Sequence, residues 1–149
     1  MGLTKQYLRY VPQASFGLIA SHKGGLVSLG DKNLVASATA ECVTIWNLKT
    51  GEKLAELIAS SNYQEVTALT VNEQYDKIAF GFNDGSIKMF SRDEDLEWSW
   101  AEDSGVIFNG HKSGVTCLSF DQDGHRLASG SRDTNLIVWD VVNECGLFR

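Results

Sequence analysis

The sequence has little of what most function classes need. One proline in 149 residues, and no Ser- or Gly-rich tract, leave no linker that would divide two domains. The three cysteines, Cys42, Cys117 and Cys145, are odd in number and far apart. A disulfide framework needs even counts, and a zinc site needs close Cys or His pairs. Cys42 and Cys117 lie in alternating apolar runs, so they are expected to be small buried hydrophobes in a reducing compartment. No apolar stretch approaches the roughly 20 residues of a membrane span, and the opening residues have no signal-peptide pattern. Met1-Gly2 fails as a myristoylation mark because position 6 is Gln6, where Ser or Thr is required. Basic residues are also scarce. With 13 Lys and Arg against 19 Asp and Glu, the net charge is −6. Gripping nucleic acid through phosphates requires a surplus of cations, so any RNA contact is expected to be indirect. Phosphate loops are missing too: His22-Lys23-Gly24-Gly25 matches no nucleotide-binding pattern. His125 sits beside a tight turn and reads as a solvated loop residue. No small-molecule substrate, metal or cofactor is implied.

What is present is a repeat. The clearest copy runs from Gly110-His111 through Val115 to Phe120, the turn Asp123-Gly124, Leu127 to Ser131, Arg132-Asp133, and Leu136 to Asp140. A second reads Val66 to Val71, Lys77 to Gly81, Asn83-Asp84-Gly85 and Ile87 to Ser91. A degenerate first copy retains Asn33 to Ser37 and Val43 to Asn47. Trp46, Phe90 and Trp139 hold matching places at roughly the 40–45-residue period of four-stranded blades, with the second interval lengthened by an insertion. Each copy holds three short alternating runs, as expected of strands whose side chains point to opposite faces. They are separated by Asp-Gly and Asn-Asp-Gly turn signals. A fourth, outer strand is expected between copies, around Lys53 to Ile58 in the first. Four-stranded antiparallel units at this period are propeller blades. The expected fold is therefore all-β, an unclosed propeller of about three and a half blades. Two degenerate blades fall at about 14–60 and 61–108, and the best-matched repeat at 110–149. An open set of blades leaves apolar faces at both ends, so this stretch made alone is expected to be marginal or to associate.

Gly110-His111 paired with Trp139-Asp140 resembles the signature of WD40 repeats. That resemblance implies a hydrogen-bonded tetrad inside the blade formed by His111, Ser129, Asp133 and Trp139, with Trp46 and Asp84 as remnants in the other copies. His111, Ser129 and Asp133 also match the residue types of a hydrolytic triad. They fall at structural positions of the repeat, however, and the other copies keep only part of the set. A fold role explains that loss and catalysis does not. His22 resembles a worn version of His111 but stands closer to its tryptophan than His111 does.

The opening Met1 to Tyr10, the run Phe108 to Lys112, and the tail Asn143-Glu144-Cys145-Gly146-Leu147-Phe148-Arg149 are similar to the WD-repeat protein three family, the U-three-associated protein twelve type. Membership implies a non-catalytic scaffold among the UTP-B-type propeller proteins of the small-subunit processome. It would act in the nucleolus, within the nucleus, on pre-18S ribosomal RNA maturation. The alternative is a WD40 adaptor of another complex, such as a ubiquitin-ligase substrate receptor. The inserted segment carries Asp93, Glu94, Asp95, Trp98 and Trp100. It reads either as an outer strand packed by its tryptophans or as a protein-docking loop, since Trp is enriched at interface hot spots.

Overall fold

The computed structural model describes residues 20–30, 33–58, 64–92 and 105–149. Among them lie twelve strands and no helix. The first blade is β1 (Leu26–Ser28), β2 (Leu34–Ala38), β3 (Cys42–Asn47) and β4 (Glu52–Ile58). The second is β5 (Val66–Val71), β6 (Lys77–Phe82), β7 (Ile87–Ser91) and β8 (Val106–Phe108), and the third is β9 (Val115–Phe120), β10 (Arg126–Ser131), β11 (Leu136–Asp140) and β12 (Cys145–Phe148). Each sheet is antiparallel and meanders in chain order. The described residues thus form three complete blades and no closed ring. The further half blade expected from chain length would fall among residues outside them.

Turn chemistry sets the meander. Side-chain oxygens of Asn47, Asn72, Asp121 and Asp140 each accept a backbone N–H two to five residues on, which fixes a tight reversal locally. Matching turns also share a left-handed position. Gly85 (φ 98°) before β7 corresponds to Thr134 (φ 67°) before β11, and Gly124 (φ 69°) corresponds to Tyr75 (φ 58°). A β-branched residue in that region is strained by about 1–2 kcal/mol. Replacing exposed Thr134 by Gly should therefore raise the unfolding free energy by roughly 1 kcal/mol, after the entropy cost of glycine. Urea denaturation reads this directly. Tyr75 keeps its strained backbone with its ring laid on Gly30 of the neighbouring blade, where any Cβ would collide with it.

Strand alternation gives every blade two different faces. One carries small–aliphatic cross-strand pairs: Ala36 with Ile45 and Ala38 with Val43, then Ala79 with Met89 and Gly81 with Ile87, then Ala128 with Val138 and Gly130 with Leu136. The other carries an aromatic beside an aliphatic: Val35 with Trp46, Ile78 with Phe90, Leu127 with Trp139. The small face of each blade receives the aromatic face of the next. One core joins Ala36, Ala38, Val43 and Ile45 to Ile78, Phe80, Phe82 and Phe90. A second joins Ala79, Ile87, Met89 and Phe108 to Leu127, Ile137 and Trp139. Contact is close enough that a Cβ on Gly81 would stand 2.6 Å from Val115 Cγ1. The Thr67 hydroxyl spans the second seam, 2.6 Å from the carbonyl of Val115.

The cysteines depart from expectation. Cys42 is half-buried and Cys117 is exposed. Their runs do alternate, but Cys117 pairs with Gly130 on the small face of the third blade, which no sheet covers among the described residues. Cys42 opens β3 on the aromatic face of the first blade, beside Thr39 and Glu56. Burial pushes its thiol pKa up, against the lowering effect of the Thr39 hydroxyl.

Candidate functional site

The third blade gathers four polar and aromatic side chains from four separate places. Gly110 makes room at the entry, since a Cβ there would stand 2.7 Å from Trp139 Cη2. His111 follows in the segment before β9. Ser129 projects from β10, Asp133 from the β10–β11 turn, and Trp139 from β11. Trp139 Nε1–H donates to Ser129 Oγ at 2.8 Å. Ser129 Oγ lies 2.7 Å from His111 Nε2, and His111 Nδ1 lies 3.3 Å from both Asp133 oxygens. With the Nδ1 proton donated to the carboxylate, Nε2 is left to accept from the serine, so every polar atom of the series has a partner. The indole meets the imidazole edge-on, at 6.4 Å between centroids and 72° between planes.

All four side chains are enclosed. Ser129 is 1% exposed and Trp139 4%, while the His111 side chain is 0% and that of Asp133 6% exposed. Asp133 also anchors backbone: Lys112 N–H donates to it at 2.7 Å and Asn135 N–H at 2.9 Å. Led by the Lys112 amide, these bonds and His111 hold its pKa far below the usual carboxylate range. A depressed folded-state value means that its contribution to stability is complete above the unfolded pKa of about 4 and is lost as pH falls further. Asp133→Asn should therefore be destabilised at neutral pH, and its stability should fall less than wild type's on acidification below about pH 4. Urea midpoints measured at both pH values check this.

The other blades dismantle the set in different ways. In the first, Trp46 Nε1 still reaches Ser37 Oγ at 3.2 Å. His22 stands outside this pair, with its side chain 80% exposed and 3.9 Å from Glu65. The register accounts for this: Leu26 pairs with Ser37 where Leu118 pairs with Ser129, so His22 does not stand where His111 does. In the second blade, Asp84 turns to its own loop and accepts from the amide and hydroxyl of Ser86. Phe80 occupies the place of Ser129 and Phe90 that of Trp139. Their rings stack at 5.6 Å with planes 15° apart. Two polar partners are thus replaced together by apolar rings while Asp84 keeps its bonds within its own turn, and such a paired exchange can be nearly neutral. Phe80 escaped the reading of the sequence. It could have been found as the residue two positions after the strand partner of Phe90. Asp93, Glu94, Asp95, Trp98 and Trp100 lie outside the described residues.

A groove of about 290 Å³ opens beside this site, lined by Asn109, Gly110, Ile137, Trp139 and β12 residues. His111, Ser129 and Asp133 do not line it. Among the described residues no cluster of His, Cys, Asp and Glu is grouped to hold a metal ion.

The blades and the signature define a class, and comparison with known proteins agrees. The family model described as "WD domain, G-beta repeat" matches residues 103–140. The crystal structure of RRP9 WD40 repeats superimposes with a TM-score of 0.72 over 90% of this chain and 39% of that one. At 20% identity this likeness bears on the fold alone. The chain belongs to the WD40-repeat proteins, and its three sheets are blades of a β-propeller.

Within that class, it is 50% identical over 95 residues to WD repeat-containing protein 3 of Mus musculus. It is 35% identical over 149 residues to U3 small nucleolar RNA-associated protein 12 of Saccharomyces cerevisiae. These matches cover 61% and 87% of this chain but only 10% and 15% of the relatives. The chain therefore spans a small part of the proteins it resembles.

Proposed function

We propose that this chain is part of a non-catalytic scaffold of small-subunit ribosome biogenesis, holding other propeller proteins of a nucleolar ribonucleoprotein assembly while pre-18S RNA matures. One observation carries the reading. Similarity runs through most of the chain to a protein named for its association with U3 small nucleolar RNA. The net charge of −6 favours contact with neighbouring proteins and indirect contact with RNA. The chain covers only 10% and 15% of these relatives, which supports reading its three blades as part of a larger ring. Depleting the full-length protein in its own cells should lower mature 18S RNA relative to large-subunit RNA. An unchanged ratio would argue for the rival reading, an adaptor of another complex.

Catalysis is a second reading with a specific observation behind it, because Ser129, His111 and Asp133 are connected in the order of a hydrolytic relay. Three features favour a packing role. Ser129 is enclosed, its oxygen already accepts from Trp139, and the adjacent groove does not include it. A fluorophosphonate probe should leave Ser129 unlabelled in the folded protein. Stoichiometric labelling of Ser129 under native conditions would restore the enzyme reading.

A further inference from the structure

Three described pairs set an Asn or Asp directly before a glycine: Asp84-Gly85, Asn109-Gly110 and Asp123-Gly124. Such a pair can close on itself, because the glycine amide nitrogen reaches the side-chain carbonyl of the residue before it. Glycine has no Cβ to hinder that approach. Asparagine closes far more readily than an ionised aspartate, since its carbonyl carbon carries no negative charge to repel the incoming nitrogen. The nucleophile is the glycine N–H, so a hydrogen bond made by that group protects the pair.

The fold protects two of the three. Gly85 N–H donates to the Phe82 carbonyl at 3.2 Å, and Gly124 N–H to that of Asp121 at 3.2 Å. The Asp84 carboxylate is also held by the amide and hydroxyl of Ser86. At Asn109-Gly110, among the described residues, no hydrogen bond engages the Gly110 amide or the Asn109 side chain. Asn109 connects the second blade to the third, yet it is exposed and borders the groove beside Trp139, where water reaches it. Packing also keeps the following residue a glycine, since a Cβ at Gly110 would stand 2.7 Å from Trp139 Cη2. The fold thus demands the least hindered nucleophile at this position.

We infer that Asn109-Gly110 is a site of spontaneous deamidation in the folded protein, and that its isoaspartyl product loosens the hydrogen-bonded series of the third blade. The Gly110 nitrogen gives up its proton and bonds to Asn109 Cγ. The Cγ–Nδ2 bond breaks, and ammonia leaves with that proton. Water then opens the succinimide ring. Attack at Cγ gives an ordinary aspartyl residue. Attack at the main-chain carbonyl carbon leaves the chain running through Cγ, one methylene longer. That extra length enters just before His111, whose Nε2 lies 2.7 Å from Ser129 Oγ. The reaction is independent of the ribosomal role, so its failure would leave that role untouched.

Full-length protein kept folded at neutral pH, then digested and mapped by mass spectrometry, tests whether the reaction occurs. Asn109 should convert before any other asparagine, to a mixture of aspartyl and isoaspartyl peptides. The isoaspartyl peptide should accept a methyl group from S-adenosylmethionine in the presence of an isoaspartyl methyltransferase. Peptides carrying Asp84 and Asp123 should accept none. Asn109→Gln, which must close a larger ring, should abolish the signal. Conversion of Asn109 only after denaturation in urea would overturn the inference, as would earlier conversion at another asparagine. The isoaspartyl form, separated by chromatography, is then compared with Asn109→Asp by hydrogen–deuterium exchange. Peptides spanning His111 and Ser129 should exchange about tenfold faster in the isoaspartyl form, matching the loss of one buried hydrogen bond. Asn109→Asp adds the same charge on an unaltered backbone and should exchange like the unmodified protein. Equal protection in the two forms would overturn the loosening of the third blade.

Discussion

Trp139→Ala should lower the unfolding free energy by about 3–5 kcal/mol, the cost of emptying a buried aromatic site. The ring is 4% exposed and packs against Phe108 of the second blade at 5.3 Å between centroids. It also closes the third blade over Gly110 and Gly146. Its loss opens a cavity at the second seam and removes the donor that orients Ser129. Since a whole domain is stable by about 5–15 kcal/mol, the change should remove a large share of that stability. Trp139→Phe keeps most of the packing and loses only the Nε1–H donor, so it should cost clearly less, about 1–2 kcal/mol. Urea denaturation followed by circular dichroism ranks the two. An alanine variant within about 0.5 kcal/mol of wild type, as for a surface change, would contradict the packing described.

Phe80→Ala should be comparably severe at the other seam, again about 3–5 kcal/mol. Phe80 is fully buried, stacked on Phe90 and edge-on to Phe82 at 5.5 Å. It stands where the third blade has Ser129, so it does by dispersion and area what the polar series does by hydrogen bonds. A serine at position 80 would not rebuild that series, because Asp84 is bonded within its own turn and Phe90 has no N–H to donate. Phe80→Ser should therefore be at least as damaging as Phe80→Ala, since it adds an unsatisfied hydroxyl. If serine proved milder than alanine, the aromatic replacement would not be the source of stability.

Much of this was legible in the sequence because repetition turns one clear copy into a template for two worn ones. The Asp-Gly and Asn-Asp-Gly turns mark strand ends by backbone chemistry alone. The strand at Glu52–Ile58 was separable from a short helix by the Thr50-Gly51 turn before it. His111, Ser129, Asp133 and Trp139 were named from the repeat signature, and the fold links them in a chain of hydrogen bonds from Trp139 through Ser129 and His111 to Asp133.

What stayed hidden depends on neighbours that a single strand cannot reveal. Alternation shows that Cys117 shares a face with Ser119, but not that Cys117 is exposed on it. His22 resembles His111 in its Gly-His-like turn, yet the register puts it elsewhere, since Leu26 pairs with Ser37 where Leu118 pairs with Ser129. The pairing of Phe80 with Phe90 needs the strand register, which is set by the β6–β7 turn and not by composition.

The most direct test of the scaffold assignment is affinity purification of the full-length protein from its own cells, with bound RNA sequenced and bound proteins identified. Recovery of pre-18S RNA together with other propeller scaffolds is the expected result. Recovery of a ubiquitin ligase or another unrelated assembly, with no ribosomal precursor, would leave the propeller fold standing and contradict the function proposed for it.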